Sequence, residues 1–246
     1  MSKVVTTTVL PDVAGGSVTL GGTGDSVVVT GNDIRTNAMQ DAGGNALFTS
    51  NGSGVLSGMN SGLTSGALNL LSTQTASGAS SVSFTTGIDS TYDVYIFKFI
   101  EMNLSVTLLE FGFQVNASGQ TGFDEVITST TFLAEHSEAD ATNLEYRTSE
   151  DQAQGTAYQK FQLNTSNDSD SSISGEMYLF APSGTTYVKH FYINTIAMGI
   201  YSGNPSACNY FVGGYINTTS AITEIDFKPP SGNFDGTIKM YGISKS

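Results

Sequence analysis

The chain has 246 residues, of which 9 are Lys or Arg and 22 are Asp or Glu, so its formal net charge is −13. That balance opposes a phosphate-backbone partner, which needs clustered cations, and it excludes nucleic acid from the expected ligands. Only 13% of residues are charged, so the polar surface must be Ser, Thr, Asn, Gln and Gly, a composition suited to extracellular or particle-borne β proteins.

From Met1 to about Leu63 short β-like runs occur at Val4 to Leu10, Ser17 to Leu20, Ser26 to Thr30 and Ala46 to Thr49, separated by turn signals such as Gly21-Gly22, Gly43-Gly44 and Asn51-Gly52. Each run is too short to bury much by itself. The segment is therefore expected to order by packing against copies of itself or a larger particle. The Gly/Ser stretch Asn60 to Ala67 places a boundary between an attachment and oligomerisation segment, 1–63, and a head domain, 68–246.

In the head, Leu68 to Thr75 turns into a second strand at Ser81 to Thr86, and Tyr92 to Met102 is the most hydrophobic strand. Strands then follow at Val106 to Val115, Glu125 to Glu135, Ala157 to Leu163, Ile173 to Phe180, Tyr187 to Ala197, Cys208 to Asn217, Ala221 to Phe227 and Gly236 to Ile243. Bulky residues recur at every second position, the period of a pleated strand. About ten strands joined by short turns predict an all-β fold, a two-sheet sandwich of jelly-roll type.

Candidates for chemistry are sparse. Asp124, Glu125, Glu135, Glu138, Asp140, Glu145, Glu150 and Asp151 surround His136, but no spacing selects the carboxylate pair a glycosidase needs, and a solvated acidic loop over 136–154 is expected. Asn167 to Ser172 is rich in oxygen ligands but lacks the Gly and bidentate Glu of a calcium-binding EF-hand loop, so a polar turn is expected. The histidines are His136 and His190, Cys208 is the single cysteine, and there is no Gly-x-Ser-x-Gly elbow. Neither a zinc set nor a nucleophilic triad assembles. The expectation is no catalytic residue, no metal and no cofactor, with Cys208 a buried thiol. Most Tyr and Phe residues are assigned to the core. Loop aromatics are better placed for recognition, and Tyr201 with Asn204, beside Gly203 and Pro205, forms the candidate recognition loop.

The N-terminus lacks the apolar stretch of a signal peptide, and no run approaches the roughly 18 apolar residues that cross a bilayer. Membrane insertion is not expected. An extracellular-like composition without an export signal fits a virion component made in the host cytoplasm.

Leu70 to Ser77, followed by Val82 to Tyr95, resembles structural proteins of marine tailed bacteriophages, and the similarity continues through Asp151 to Ala157, Tyr187 to Phe191, Asn217 to Ile222 and Thr237 to Gly242. The front segment from Gln40 to Ser50 is similar to the leading part of fibre-like phage proteins. The resemblance implies a non-enzymatic role on the virion surface, as a tail or head fibre for host attachment or as capsid decoration. Expected partners are the protein itself as a homotrimer, other virion proteins through residues 1–63, and a host surface glycan or protein. The rival class is a free carbohydrate-binding or glycan-hydrolysing module.

Overall fold

The computed structural model describes residues 38–40, 45–50, 53, 56–57 and 68–244. The runs expected at Val4 to Leu10, Ser17 to Leu20 and Ser26 to Thr30, and most of the linker, lie outside the described residues. By its contacts the chain divides into two compact units, residues 1–64 and 65–246. In the first, β1 (Ala38–Gln40), β2 (Ala46–Ser50) and β3 (Leu56–Ser57) form an antiparallel sheet in chain order.

The second unit contains β4 (Leu68–Ala79), β5 (Val82–Phe84), β6 (Val94–Leu104), β7 (Phe111–Ala117), β8 (Ile127–Ser137), β9 (Thr142–Tyr146), β10 (Ala153–Gly155), β11 (Gln159–Gln162), β12 (Ile173–Phe180), β13 (Lys189–Tyr201), β14 (Asn204–Ile216), β15 (Ile222–Lys228) and β16 (Phe234–Ile243). No helix occurs among the described residues. The large sheet runs β10-β8-β14-β13-β12-β6-β16-β4, with β9 also on β8, and the small sheet runs β11-β7-β15-β5. Every pairing is antiparallel. The protein is all-β, with the sheets of a β-sandwich.

The alternation that predicted strands also fills the space between the sheets. Tyr95, Phe97 and Phe99 of β6, Phe111 and Phe113 of β7, Phe161 of β11 and Phe227 of β15 are buried in one apolar cluster. Phe99 and Phe161 stack at 5.0 Å, whereas Phe111 meets Phe234 edge-on at 5.0 Å. Each such ring pair adds roughly 0.5–1.5 kcal/mol to the burial itself.

Two segments differ from the sequence reading. Val106 to Leu109 is a turn, not the start of a strand: the backbone N–H of Leu108, at φ 60°, donates to Thr165 O at 2.8 Å, and Leu108 is exposed. The presumed acidic loop 136–154 contains strands β9 and β10. Their shortness and polar neighbours hid them: β9, on the outer side of β8, has no fully buried side chain, and its bulky apolar residues are Leu144 and Tyr146 alone.

Candidate binding surfaces

Tyr201 and Asn204 face each other as a cross-strand pair at the tip of the β13–β14 hairpin, joined by Ser202 and Gly203 alone. Both turn residues are left-handed, with φ 52° and 76°, the geometry of a type I′ turn. Asn204 Nδ2 donates to Ser202 O at 3.0 Å, and the Tyr201 N–H donates to Ser206 Oγ at 3.2 Å. The two residues are thus neighbours in a tight turn, each half-buried, rather than members of an open loop. Sequence reading missed this because the turn is only two residues long and Pro205 mimics a loop, although its ring sits at a strand position paired with Ile200.

The acidic residues do not behave alike. Glu138 and Asp140 are exposed, but Glu135 and Glu150 are buried, which corrects the expected solvated loop. Glu135, pointing inward from β8, accepts from Asn164 Nδ2 at 2.5 Å and Asn143 Nδ2 at 3.2 Å. Beside it the buried Cys208 thiol is pushed up to about 12 by burial and by the Glu135 carboxylate. Next to Cys208 in the same buried cluster, the Tyr210 hydroxyl finds no partner among the described residues. Burial, moderated by the Arg147 guanidinium, raises its pKa. Glu150 and Glu110 both hold Lys160 Nζ, at 3.2 and 2.9 Å. Burial works against the Lys160 charge, but the two carboxylates outweigh it and raise its pKa. A carboxylate pair clamped on a lysine is an ion-pair brace, not an acid and a base poised across a cleft.

Lys189 is also buried, at the start of β13, with Nζ donating to Tyr187 O at 3.0 Å and Thr218 O at 3.1 Å. Burial lowers its pKa, and its role is to tie two chain turns together. The Asn167 to Ser172 segment is a bonded turn: the Ser171 N–H donates to Asp168 O at 3.0 Å, and the segment is held from outside by Ser166 Oγ donating to Asp168 Oδ2 at 2.7 Å and Asn103 Nδ2 to Ser171 O at 2.6 Å. Among the described residues no group of His, Cys, Asp and Glu is placed to hold a metal ion.

Two surfaces have the shape and chemistry to receive a ligand or partner. A pocket of about 360 Å³ on the small sheet is lined by Gly112, Ala157, Tyr158, Lys160, Lys228 and Pro229, among others. Lys228 Nζ lies 4.1 Å from the centre of the Tyr158 ring. The Tyr158 hydroxyl donates to the buried Asp226 at 2.8 Å, and Asp226 also accepts from Ser83 Oγ at 2.5 Å. Burial and that carboxylate raise the Tyr158 pKa. The pinned ring forms a fixed apolar wall with a cation beside it.

The second surface is the outer face of the large sheet. Cross-strand register lines up Leu70, Tyr241, Ile96, Tyr178 and Tyr192 from β4 to β13, and Phe211, Phe132 and Tyr146 from β14 to β9. Tyr178 stacks on Tyr192 at 4.6 Å, Tyr192 on Phe211 at 6.1 Å and Phe211 on Phe132 at 5.1 Å, joining the two rows into one band. These rings belong to the face opposite the core, whereas most of the strand aromatics, among them Tyr95, Phe97, Phe99, Phe111, Phe113, Phe191 and Tyr210, are internal as expected. The missed signal was in the sequence: Val94 to Phe97 and Met177 to Phe180 are apolar in both phases of the alternation, the mark of a strand covered on both faces. Beside the band lie hollows of about 520 and 280 Å³ that share Ser174 and Ile196.

Compared with protein-family models, with curated proteins and with solved structures, the chain has no significant match in any of the three.

Proposed function

We propose that the chain is a non-enzymatic bacteriophage virion surface protein, a homotrimeric tail or head fibre that presents a jelly-roll head for host attachment. Residues 1–63 are its junction with other virion proteins. Strand order is the observation that supports the jelly-roll head. The large sheet contains the order β4-β16-β6-β12 and the small sheet β5-β15-β7-β11, so the chain changes sheet at β4/β5, β5/β6, β6/β7, β7/β8, β10/β11, β11/β12, β14/β15 and β15/β16. That order supports reading the head as two wrapped Greek keys. The excursions β8–β10 and β13–β14 extend one sheet into a wide platform. A body of this kind positions surface residues rigidly, and its buried carboxylates serve as ion-pair and hydrogen-bond partners.

The phage assignment rests on the resemblance of Leu70 to Ser77, Val82 to Tyr95 and the later segments, and the same features accommodate capsid decoration. Imaging of the particle with a labelled chain tests it. Density at the tail tip or a head fibre is the expected outcome, a position on the shell lattice replaces attachment with decoration, and absence from the particle rejects the assignment.

A glycan-binding module is the second reading, favoured by the Tyr158 pocket, whose size suits one sugar ring. It predicts saccharide binding by the purified protein that Tyr158→Ala abolishes. Polysaccharide release lost in Glu150→Gln would overturn the non-enzymatic reading.

A further inference from the structure

The outer face of the large sheet is more apolar than a solvated sheet surface. Besides the aromatic band, Leu68, Ile243, Val94 and Phe180 fall in register at one end, and Ile196 and Leu144 lie on the same face toward the other. Leu70 is 55% exposed, Phe132 45%, Leu144 78%, Tyr146 55% and Ile196 45%. At about 200 Å² for a fully exposed large side chain, these five alone leave roughly 550 Å² of apolar surface in water. That is at the upper limit for the largest patch of a monomer, roughly 300–600 Å², and close to one side of a standard interface, roughly 800 Å².

Ring orientation and charge narrow the occupant. Tyr178, Tyr192, Phe211 and Phe132 stack with interplanar angles of 16°, 9° and 24°, so their faces cover one another and their edges point outward. A sugar stacks on a free ring face, and the inner rings of this stack, Tyr192 and Phe211, have both faces covered, whereas edges pack against apolar side chains and other ring edges. Lys98 on this face pairs with Glu176 and Lys239 stands opposite it in register, so charge is confined to one row beside the apolar band. The chain's own leading segment is a poor cover, since residues 1–37 contain no aromatic residue and interface centres favour Tyr and Phe.

The face also carries both halves of a contact. Leu144 and Tyr146 stand at its β9 edge, the former the most exposed of these apolar side chains. Ile196 and Ser174 floor the adjoining hollows in its centre. A knob and a socket at different places on one chain make a head-to-tail contact, which closes into a ring when the rotation allows.

We propose that this face is the interface between copies of the chain, with the β9 edge of one copy seated on the Ser174–Ile196 hollow of the next. The inference rests on the self-assembly part of the reading above and relocates the contact from residues 1–63 to the head. The test uses the full-length protein, with mass measured by light scattering and sedimentation. Wild type is expected as a closed oligomer. Leu144→Glu and Ile196→Glu change exposed side chains, and each should weaken association at least tenfold with the thermal transition of the dissociated chain retained. Leu144→Cys with Ser174→Cys should give an interchain disulfide on oxidation. A monomeric wild type sinks the self-assembly reading together with this inference. An oligomer that both variants leave intact, with no cross-link, overturns the inference alone and returns assembly to residues 1–63. Loss of oligosaccharide binding in the same variants at unchanged mass would make the face a glycan site instead, and protection of the face from hydrogen exchange in a monomer would assign it to the chain's own leading segment.

Discussion

Phe227 packs against the rings of Phe84, Phe97, Phe99, Phe113 and Phe161 at centroid distances of 5.3–6.5 Å, so the space between the sheets is filled by interlocked rings with little freedom to collapse into a void. Phe97→Ala or Phe113→Ala should therefore destabilise the head by about 3–5 kcal/mol in urea unfolding. A change below about 1 kcal/mol in both would place these rings outside the core. Cys208 supports a second prediction. Its thiol is held neutral up to about 12, whereas an unfolded thiol ionises near pH 8.5. A raised folded pKa gives stability that is fully present below the unfolded value and lost as pH rises toward the folded one. Stability should thus fall above about pH 9 through this group, and Cys208→Ala should flatten the decline. At pH 8.5 native protein should resist iodoacetamide while unfolded protein reacts, and rapid labelling of the folded chain would contradict the buried position.

Ser202 and Gly203 hold β13 and β14 in register over all thirteen residues of each strand. Both turn positions need positive φ, which Gly and Asn tolerate and β-branched residues do not. Gly203→Val should cost at least about 1 kcal/mol, and Ser202→Asn should add a few tenths of a kcal/mol; chemical denaturation of both variants reads the difference, and an unaffected Gly203→Val would refute the turn geometry. Sheet edges show a contrast of the same kind. β5 and β11 end the small sheet with 3 and 4 residues, short enough to discourage strand addition. β4 ends the large sheet with 12 residues and no charge; register breaks near Leu71 and Gly78 interrupt the run, the bulged edge that resists pairing with foreign strands.

Division of the chain into units 1–64 and 65–246, with the aromatic core confined to the second, leads to a prediction about the whole molecule. Limited proteolysis should cut between Asn60 and Ala67, where the sequence is rich in Gly and Ser, and leave a fragment from Leu68 to Ser246 that unfolds cooperatively. Loss of cooperativity in that fragment would show that the head depends on residues before Leu68. In the particle, deletion of Met1 to Leu63 should abolish incorporation if those residues form the junction. A truncated protein that still joins the virion would move the junction to the sandwich.

Fold class was legible in the sequence because strand alternation is local: the bulky residues of Ile173 to Phe180 or Gly236 to Ile243 mark a strand without reference to the rest of the chain. The same local signal failed at β9, where Leu144 and Tyr146 are too short an alternation to stand out among polar neighbours, and at Tyr201 and Asn204, where a two-residue turn looks like an open loop. Alternation alone also fails to say which of two apolar phases meets the opposite sheet. At Met177-Tyr178-Leu179-Phe180 both phases are apolar, and only pairing with β6 and β13 sends Met177 and Leu179 inward and Tyr178 and Phe180 outward. Register across seven strand pairings then turns scattered residues from Leu70 to Tyr241 into one continuous band. Such a surface is a property of non-local pairing, and no window of sequence contains it.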